Sequence, residues 1–147
     1  MAFDPQCIFC RIVRGEAEAS VVYRDDRVWA FLDLHPLTPG HLLVVPTQHA
    51  AGLDGLDDPT ASAMMVAGKR LAQALRRPPL GVAGVNLVLS DGAAAGQEVF
   101  HCHLHVIPRR AGDGFGFRRP PTSRVARRDE LDRMAAIIRG GLGQAGS

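Results

Sequence analysis

Three histidines occupy alternate positions in one short apolar segment of the chain. The segment runs from Val99 to Pro108 and contains His101, His103 and His105, each followed by an apolar residue. Alternate side chains of a β-strand point to the same face of its sheet, so the segment predicts a strand that carries three imidazoles on one side. Each imidazole has two polar nitrogens that need partners, which argues against simple core filling. The pattern favours metal binding, phosphoryl chemistry or both.

The chemistry of this histidine row has three alternatives. The first is a set of polar residues on a solvated sheet face. The second is a three-histidine metal site, although three residues in a row on one strand converge poorly on one ion with bonds of about 2.0 to 2.1 Å. We favour the third, a covalent role in which one imidazole attacks a substrate and its neighbours hold the charged oxygens.

Two cysteines near the start of the chain could hold a metal ion. Cys7 and Cys10 have a spacing at which two thiols bind one zinc ion, with two further ligands from elsewhere. A redox dithiol competes with this interpretation, but the pair lacks a βαβ context, and a pair of unligated thiols also stays open. His49 and His101 are candidates for the missing ligands.

A loop of small residues, Asp91-Gly-Ala-Ala-Ala-Gly-Gln97, directly precedes the histidine row. Small residues allow the backbone to approach an anion, and successive N–H groups can form an anion-binding concavity. A plain turn explains the same residues equally well. The position beside the histidines is what favours anion binding.

The order of the elements predicts an α+β fold, an antiparallel sheet with one long helix packed on it. The predicted strands cover 21–23, 28–32, 42–45, 85–89 and the histidine segment. The long helix begins after an N-cap at Asp58, with Pro59 at its first position, and ends before Pro78. A second helix is predicted over about 127–139, and one helical turn near 9–13.

Length and charge limit the classes of function. The 147 residues predict a single domain, with a core over about 5–110 and a C-terminal extension over 111–147. The net charge of +2 is too small to indicate nucleic acid or membrane as a partner, although the segment from Arg109 onward carries nine arginines against four acids. That basic segment could steer anionic ligands or could simply be solvated. With no visible signal peptide or transmembrane segment, and an odd number of cysteines, we expect a cytoplasmic protein without a disulfide framework.

Taken together, these residues resemble the histidine triad (HIT) family. Its pattern, His-φ-His-φ-His-φ-φ with φ apolar, is matched by the segment from His101 to Ile107. The further matches, in order, are Cys7-Ile-Phe-Cys10 with Gly15-Glu16, Ala30-Phe-Leu-Asp33, Pro39-Gly-His41-Leu-Leu-Val-Val-Pro46-x-x-His49, Ala95-Gly-Gln97 and Gly112-Asp-Gly-Phe-Gly116. The resemblance implies an antiparallel sheet with a long helix, paired as a homodimer. It also implies hydrolysis or transfer of a nucleoside monophosphoryl group, usually from purine nucleotides.

The resemblance implies roles for individual residues. His103 is the nucleophile, whose ring nitrogen attacks the α-phosphorus and forms a nucleotidyl-histidine that water then cleaves. His105 and His41 bind phosphate oxygens, Asp33 binds the ribose hydroxyls and the region of Gln97 contacts the phosphate. The implied lining of the base pocket, for which plain core is the alternative, is Phe9, Ile12, Phe31 and Leu34.

Two positions depart from the family pattern. Glu98 stands where many members have Ser or Thr, and an ionised carboxylate pointing inward would repel a phosphate. Ser90 stands where an amide side chain is common. We therefore expect the Glu98 side chain to point away, so that its backbone N–H alone contacts the anion.

The resemblance extends to a zinc-bearing branch of the family, which Cys7, Cys10, His49 and His101 match. In this interpretation His101 holds a structural zinc ion, and the rest of the row handles phosphate. One alternative is a zinc-stabilised nucleotide-binding regulatory protein with little catalytic activity. Another is a metal-dependent hydrolase built on the three histidines.

Overall fold

The computed structural model describes residues 3–142 and divides into two compact units. The first unit ends at Phe115 and contains a five-stranded sheet, and the second begins at Gly116. Within the part of the chain that the structure describes, no helix has both the length and the apolar character needed to cross a membrane.

The sheet has the order β1-β2-β3-β5-β4, and every pair of neighbours is antiparallel. The helices and strands are α1 (Ile8–Val13), β1 (Val21–Arg24), β2 (Val28–Leu32), β3 (Leu42–Pro46), α2 (Asp58–Arg76), β4 (Gly84–Leu89), β5 (Leu104–Arg109) and α3 (Arg128–Leu142). This arrangement confirms the predicted α+β fold.

The helix α2 covers one face of the sheet. Its N-cap is Asp57 and not Asp58 as predicted, because the Asp57 carboxylate accepts the N–H of Thr60 at 2.8 Å. Pro59 then lies at the second helical position, where its missing N–H would have had no partner within the helix. The buried side chains between α2 and the sheet include Val28, Ala30, Leu42, Val44, Met64, Ala67, Leu75, Leu104 and Val106.

The short helix α1 covers the opposite face. Its Phe9 and Ile12 are buried in a second apolar cluster with Phe31, Leu43 and other residues of the sheet. Since Leu43 pairs with His105 in the register of β3 and β5, the catalytic candidates lie on this same side, next to α1.

The strand β5 begins at Leu104, so the prediction that all three histidines lie on one strand was wrong. His101 and His103 precede the strand, and only His105 belongs to it. The reason is that side chains occupy the backbone groups that a longer ladder would need. The carbonyl of His101 bonds to the ring of His103, and the carbonyl of Pro46 at the end of β3 bonds to the ring of His101.

The second unit contains α3. The sequence predicted this helix over about 127–139, and it extends from Arg128 to Leu142. None of its described side chains is buried. Its helical start is supported by Glu130, whose carboxylate accepts the N–H of Arg127 at 3.1 Å.

Candidate active site and zinc site

Four sulfur and nitrogen ligands converge beside the N-terminus of α1. The ligand atoms of Cys7, Cys10, His49 and His101 all lie within 4.8 Å of one another. Sγ of Cys7 is 3.4 Å from Nδ1 of His101, and Sγ of Cys10 is 3.4 Å from Nδ1 of His49. Tetrahedral zinc with bonds of about 2.0 to 2.3 Å requires ligand separations of roughly 3.3 to 3.8 Å. The donor set and its spacing therefore fit one zinc ion.

Hydrogen bonds to backbone groups orient these ligands. The ring of His101 donates from Nε2 to the carbonyl of Pro46 at 2.9 Å, which leaves Nδ1 as the lone pair that faces the two sulfurs. The N–H of Asp4 donates to Sγ of Cys10 at 3.4 Å, and the N–H of Cys10 donates to Sγ of Cys7 at 3.5 Å. Both N–H groups thus fix the positions of the two sulfurs.

The ring of His103 is held by the backbone immediately before it. Its Nδ1 lies 2.7 Å from the carbonyl oxygen of His101, and since a carbonyl only accepts, Nδ1 carries the proton. His103 is 6% exposed, with Phe9 packed edge-on against its ring. Within residues 3–142 no buried side-chain nitrogen lacks a hydrogen-bond partner. Since Nε2 of His103 has none there, it reaches the surface with a free lone pair.

His41 and His105 form a hydrogen-bonded pair next to His103. Nε2 of His41 lies 2.9 Å from Nδ1 of His105, and Nδ1 of His41 accepts the N–H of Leu37 at 3.0 Å. Neutral His41 therefore carries its proton on Nε2 and donates it to His105. The proton of His105 is then on its own Nε2, which has no partner among the described residues and so also reaches the surface.

The two rings stay uncharged at neutral pH. Burial, together with the neighbouring rings of His103 and His41, lowers the pKa of His105 to about 4. Burial also lowers the pKa of His41, with the Asp33 carboxylate acting in the opposite direction. The pair therefore presents neutral hydrogen-bond donors rather than fixed positive charges.

The carboxylate of Asp33 lies at the edge of this pair. One oxygen accepts the N–H of His35 at 2.8 Å, and the other lies 3.6 Å from Nε2 of His41. The backbone N–H of Asp33 bonds to the carbonyl of His41 at 2.9 Å, which fixes the two residues together. A carboxylate oxygen without a hydrogen-bond donor among residues 3–142 is thus available to a ligand hydroxyl.

The amide of Gln97 is used within its own loop. Its Oε1 accepts the N–H of Gly92 at 2.8 Å, and its Nε2 donates to the carbonyls of Ala51 at 2.6 Å and Val99 at 3.1 Å. Both amide protons therefore have protein acceptors. The side chain fixes the loop that precedes the histidines and has no proton left to offer a phosphate.

The remaining predicted substrate residues differ in exposure. Phe9, Ile12 and Phe31 are buried in the apolar cluster beneath α1, whereas Leu34 is 88% exposed. The additional positions lie on the surface or partly on it: Ser90 is half-buried and Glu98 is exposed. The structure brings the four metal ligands together and brings His41 to His105. Sequence reasoning missed the backbone groups of Leu37 and Pro46, because an amide N–H or carbonyl carries no residue-specific signal.

Comparison with known proteins identifies the family of this chain. A family model for the HIT domain matches residues 14–112. The chain belongs to the HIT family. An uncharacterised HIT-like protein from Borreliella burgdorferi is 47% identical to this HIT protein over 114 residues, which cover 77% of this chain and 82% of the relative.

Solved structures of the family resemble this HIT protein over most of its length. A zinc-bound histidine triad family protein from Mycobacterium smegmatis has a TM-score of 0.73 at 41% identity and covers 95% of this chain and 97% of its own. A histidine triad nucleotide-binding protein from Candida albicans has a TM-score of 0.83 at 27% identity, covering 95% of this chain and 99% of that protein. A HIT family hydrolase from Legionella pneumophila has a TM-score of 0.62 at 35% identity, covering 79% of this chain and 99% of that protein. The zinc-bound relative agrees with the predicted cofactor, and Cys7, Cys10, His49 and His101 are positioned to hold a zinc ion here.

Proposed function

We propose that this HIT protein is a nucleotide hydrolase or transferase that cleaves the bond between a nucleoside α-phosphate and its leaving group. The reaction passes through a covalent nucleotidyl-histidine on Nε2 of His103. Substrates with a purine base and either a dinucleoside polyphosphate or a phosphoramidate leaving group suit this chemistry. The resemblance to a HIT family hydrolase and to a histidine triad nucleotide-binding protein supports the proposal.

The opposite polarity of two neighbouring imidazoles carries the proposal. The ring centroids of His103 and His105 are 4.9 Å apart. His103 presents a lone pair at Nε2, because its proton is bonded to the carbonyl of His101, whereas His105 presents an N–H at Nε2. A phosphate ester needs both, since its phosphorus is the electrophile and its anionic oxygens accept hydrogen bonds.

The reaction balances without any further protein group. The lone pair of His103 forms a bond to the α-phosphorus as the bond to the leaving group breaks. The leaving group departs with that electron pair and takes a proton from solvent. Water then attacks the same phosphorus and gives up a proton to solvent, the N–P electrons return to Nε2, and a nucleoside monophosphate is released.

Other residues bind the nucleotide in this proposal. The free oxygen of Asp33 accepts ribose hydroxyls, and the backbone N–H groups after Gln97 contact the phosphate. His41 acts on the phosphate through His105. The exposed side chain of Glu98 supports the expectation that its carboxylate stays away from the anion. A zinc ion held by Cys7, Cys10, His49 and His101 would supply structural support, because four protein ligands would leave no open position for a substrate.

The covalent intermediate provides the decisive test. Purified protein is mixed with an adenylated substrate and examined by intact-protein mass spectrometry for an acid-labile AMP adduct. The wild type should form the adduct, and His103→Ala should lose it together with at least about a thousandfold of turnover.

The exposed His35 supplies a matched control, since His35→Ala removes an imidazole that lies outside the cluster. This variant should keep the adduct and the wild-type rate. Nucleotide binding with neither adduct nor turnover would instead favour a regulatory binding protein. Turnover that chelation abolishes while the fold persists would favour a metal-dependent hydrolase.

A further inference from the structure

A tight turn lies directly before His41. The N–H of His41 bonds to the carbonyl of Thr38 at 3.1 Å, with Pro39 and Gly40 between them. Gly40 has a φ of +93°, so the turn favours glycine at its third position, and proline is common at its second. This geometry fixes the backbone that leads into His41.

The same turn is attached to β5 by one buried side chain. Thr38 is 5% exposed, and its hydroxyl donates to the carbonyl of Pro108 at 2.7 Å. A Cβ added to Gly40 would lie 3.3 Å from the ring of Pro108, which shows how closely the turn and the strand approach. The residue before Thr38 supplies the N–H that Nδ1 of His41 accepts.

We propose that Thr38 is a positioning residue that fixes the tautomers of His41 and His105. Its hydroxyl anchors the turn to Pro108, which holds the Leu37 N–H against Nδ1 of His41. The proton of His41 is thereby confined to Nε2 and donated to His105, whose own proton must then point outward. The chain of bonds sets which nitrogen of His105 carries a proton.

This assignment has a consequence for metal binding. The ligand atoms of Asp33, His41 and His105 also lie within 4.8 Å of one another, a spacing that would suit a second metal ion. A histidine ligates a metal through an unprotonated nitrogen. Nε2 of His41 is protonated as long as Leu37 donates to Nδ1, so this cluster is a hydrogen-bond relay and does not bind zinc.

The tautomer assignment stands on the free protein, whereas its effect on turnover rests on the proposed function. The nearby ionisable groups are the Asp33 carboxylate and the ring of His103. The lowered pKa values of His41 and His105 agree with two neutral rings. Neither the hydrogen bonds of the two rings nor their lowered pKa values require a bound nucleotide.

Nitrogen-15 NMR of the zinc-loaded protein tests the tautomers directly. Long-range proton–nitrogen correlations distinguish a protonated Nδ1 from a protonated Nε2 in each ring. We expect His41 and His105 to carry the proton on Nε2 and His103 to carry it on Nδ1. A wild-type His41 protonated on Nδ1 would overturn the proposal without the need for any variant.

Substitution of Thr38 separates positioning from general stability. Thr38→Val keeps the shape and removes the hydroxyl, and it should give averaged nitrogen shifts for His41 and His105. Thr38→Ser restores the hydroxyl and should restore the wild-type tautomers. Single-tautomer spectra in a folded Thr38→Val protein would show that the hydroxyl is not the anchor.

Zinc titration and kinetics complete the experiment. With excess zinc the wild type should retain about one ion per chain, and the signals of His41 and His105 should not move. Two ions per chain, with those signals shifted, would contradict the relay. With an adenylated substrate, kcat/KM should fall about tenfold in Thr38→Val and by less than about twofold in Thr38→Ser. If the wild type shows no turnover, the proposed function fails while the NMR result still decides the tautomers.

Discussion

The side-chain amide of Gln97 fixes the loop that precedes the histidines. The resemblance places this region against a phosphate, yet all the donors of the side-chain amide are bonded to carbonyls of the protein itself. The amide joins Ala51, in the segment after β3, to the loop before the histidines. Its contribution to the site is therefore the position of that loop.

Replacing Gln97 tests this role. Gln97→Leu removes three hydrogen bonds and leaves the Gly92 N–H and the carbonyls of Ala51 and Val99 without their partner. Unpaired groups that are partly buried cost free energy, so the variant should lose about 1–3 kcal/mol of unfolding free energy in urea denaturation. Gln73→Leu, on the exposed side of α2, should change stability by less than about 0.5 kcal/mol. Equal stabilities of the two variants would contradict the structural role.

The depressed pKa of His105 predicts a pH dependence of stability. Burial and the neighbouring rings of His103 and His41 together lower this pKa from 6.5 to about 4 in the folded protein. The unfolded chain therefore binds the proton more readily in the window between these values, and the unfolding free energy falls as pH falls through it. His105→Gln removes this titration, so its stability should decline less between pH 7 and pH 5 than that of the wild type.

Denaturant unfolding at the two pH values measures this difference. Any loss of zinc on acidification is common to both proteins and cancels in the comparison. His35→Gln, which changes an exposed histidine outside the cluster, should retain the wild-type pH dependence. An identical acid-side decline in the wild type and His105→Gln would exclude His105 as the source.

At the level of elements, the helix α2 approaches the strand β5 unusually closely at Gly68. A Cβ added there would lie 3.0 Å from Cδ2 of Leu104 and 3.5 Å from Cδ1 of Leu87. Leu104 is the first residue of β5 and follows His103 directly. The contact therefore supports the point at which the chain leaves the irregular segment and enters the sheet.

Enlarging this position should separate the two elements. Gly68→Val places methyl groups against Leu104 and Leu87, and overpacking of a close contact costs about 1–3 kcal/mol of unfolding free energy. Ala61→Val introduces the same side chain at an exposed position of α2, where only the small helix-propensity difference applies. Thermal and urea unfolding measure both variants. A Gly68→Val protein as stable as Ala61→Val would mean that the contact can relax freely.

For the whole molecule, the sequence predicts the sheet well and the start of β5 poorly. Apolar patterning decides β2, β3 and α2, because the two strands are short apolar runs and the buried residues of the helix repeat at helical spacing. The alternation from His101 to His105 obeys the same rule, yet the first two rings bond to backbone carbonyls and interrupt the ladder. Periodicity shows which side chains share a face of a strand. It does not show that a side chain will bond to a backbone carbonyl and so take the place of the neighbouring strand.

The groups of the candidate site also divide into those that the sequence predicts and those that it does not. The resemblance identifies the four residues that are positioned to hold zinc, because Cys and His at those places have few other uses. The Leu37 amide and the Pro46 carbonyl could not be predicted, since every residue except proline offers the same amide and every residue offers the same carbonyl. They are defined by the turn before His41 and by the end of β3, which exist only in the folded chain.

The four residues positioned to hold zinc come from parts of the first unit that are far apart in sequence. Cys7 directly precedes α1 and Cys10 lies within it, whereas His49 follows β3 and His101 precedes β5. Binding of a metal to ligands that converge only in the folded state adds directly to folding free energy. The wild type purified without chelator should therefore contain about one zinc ion per chain, and its removal should destabilise the unit.

Cys7→Ala tests this coupling at the scale of the molecule. The variant should lose zinc and melt on the order of 10 °C lower, because a structural ion contributes several kcal/mol. The rate per folded molecule, measured well below the melting temperature, should fall much less, since Cys7 lies outside the His103–His105 pair. Cys102→Ala is the matched control, because its thiol is buried outside the zinc cluster and the variant should keep its zinc. Metal-free wild type, or a Cys7→Ala protein with full zinc content, would contradict the assignment of the ion to these four ligands.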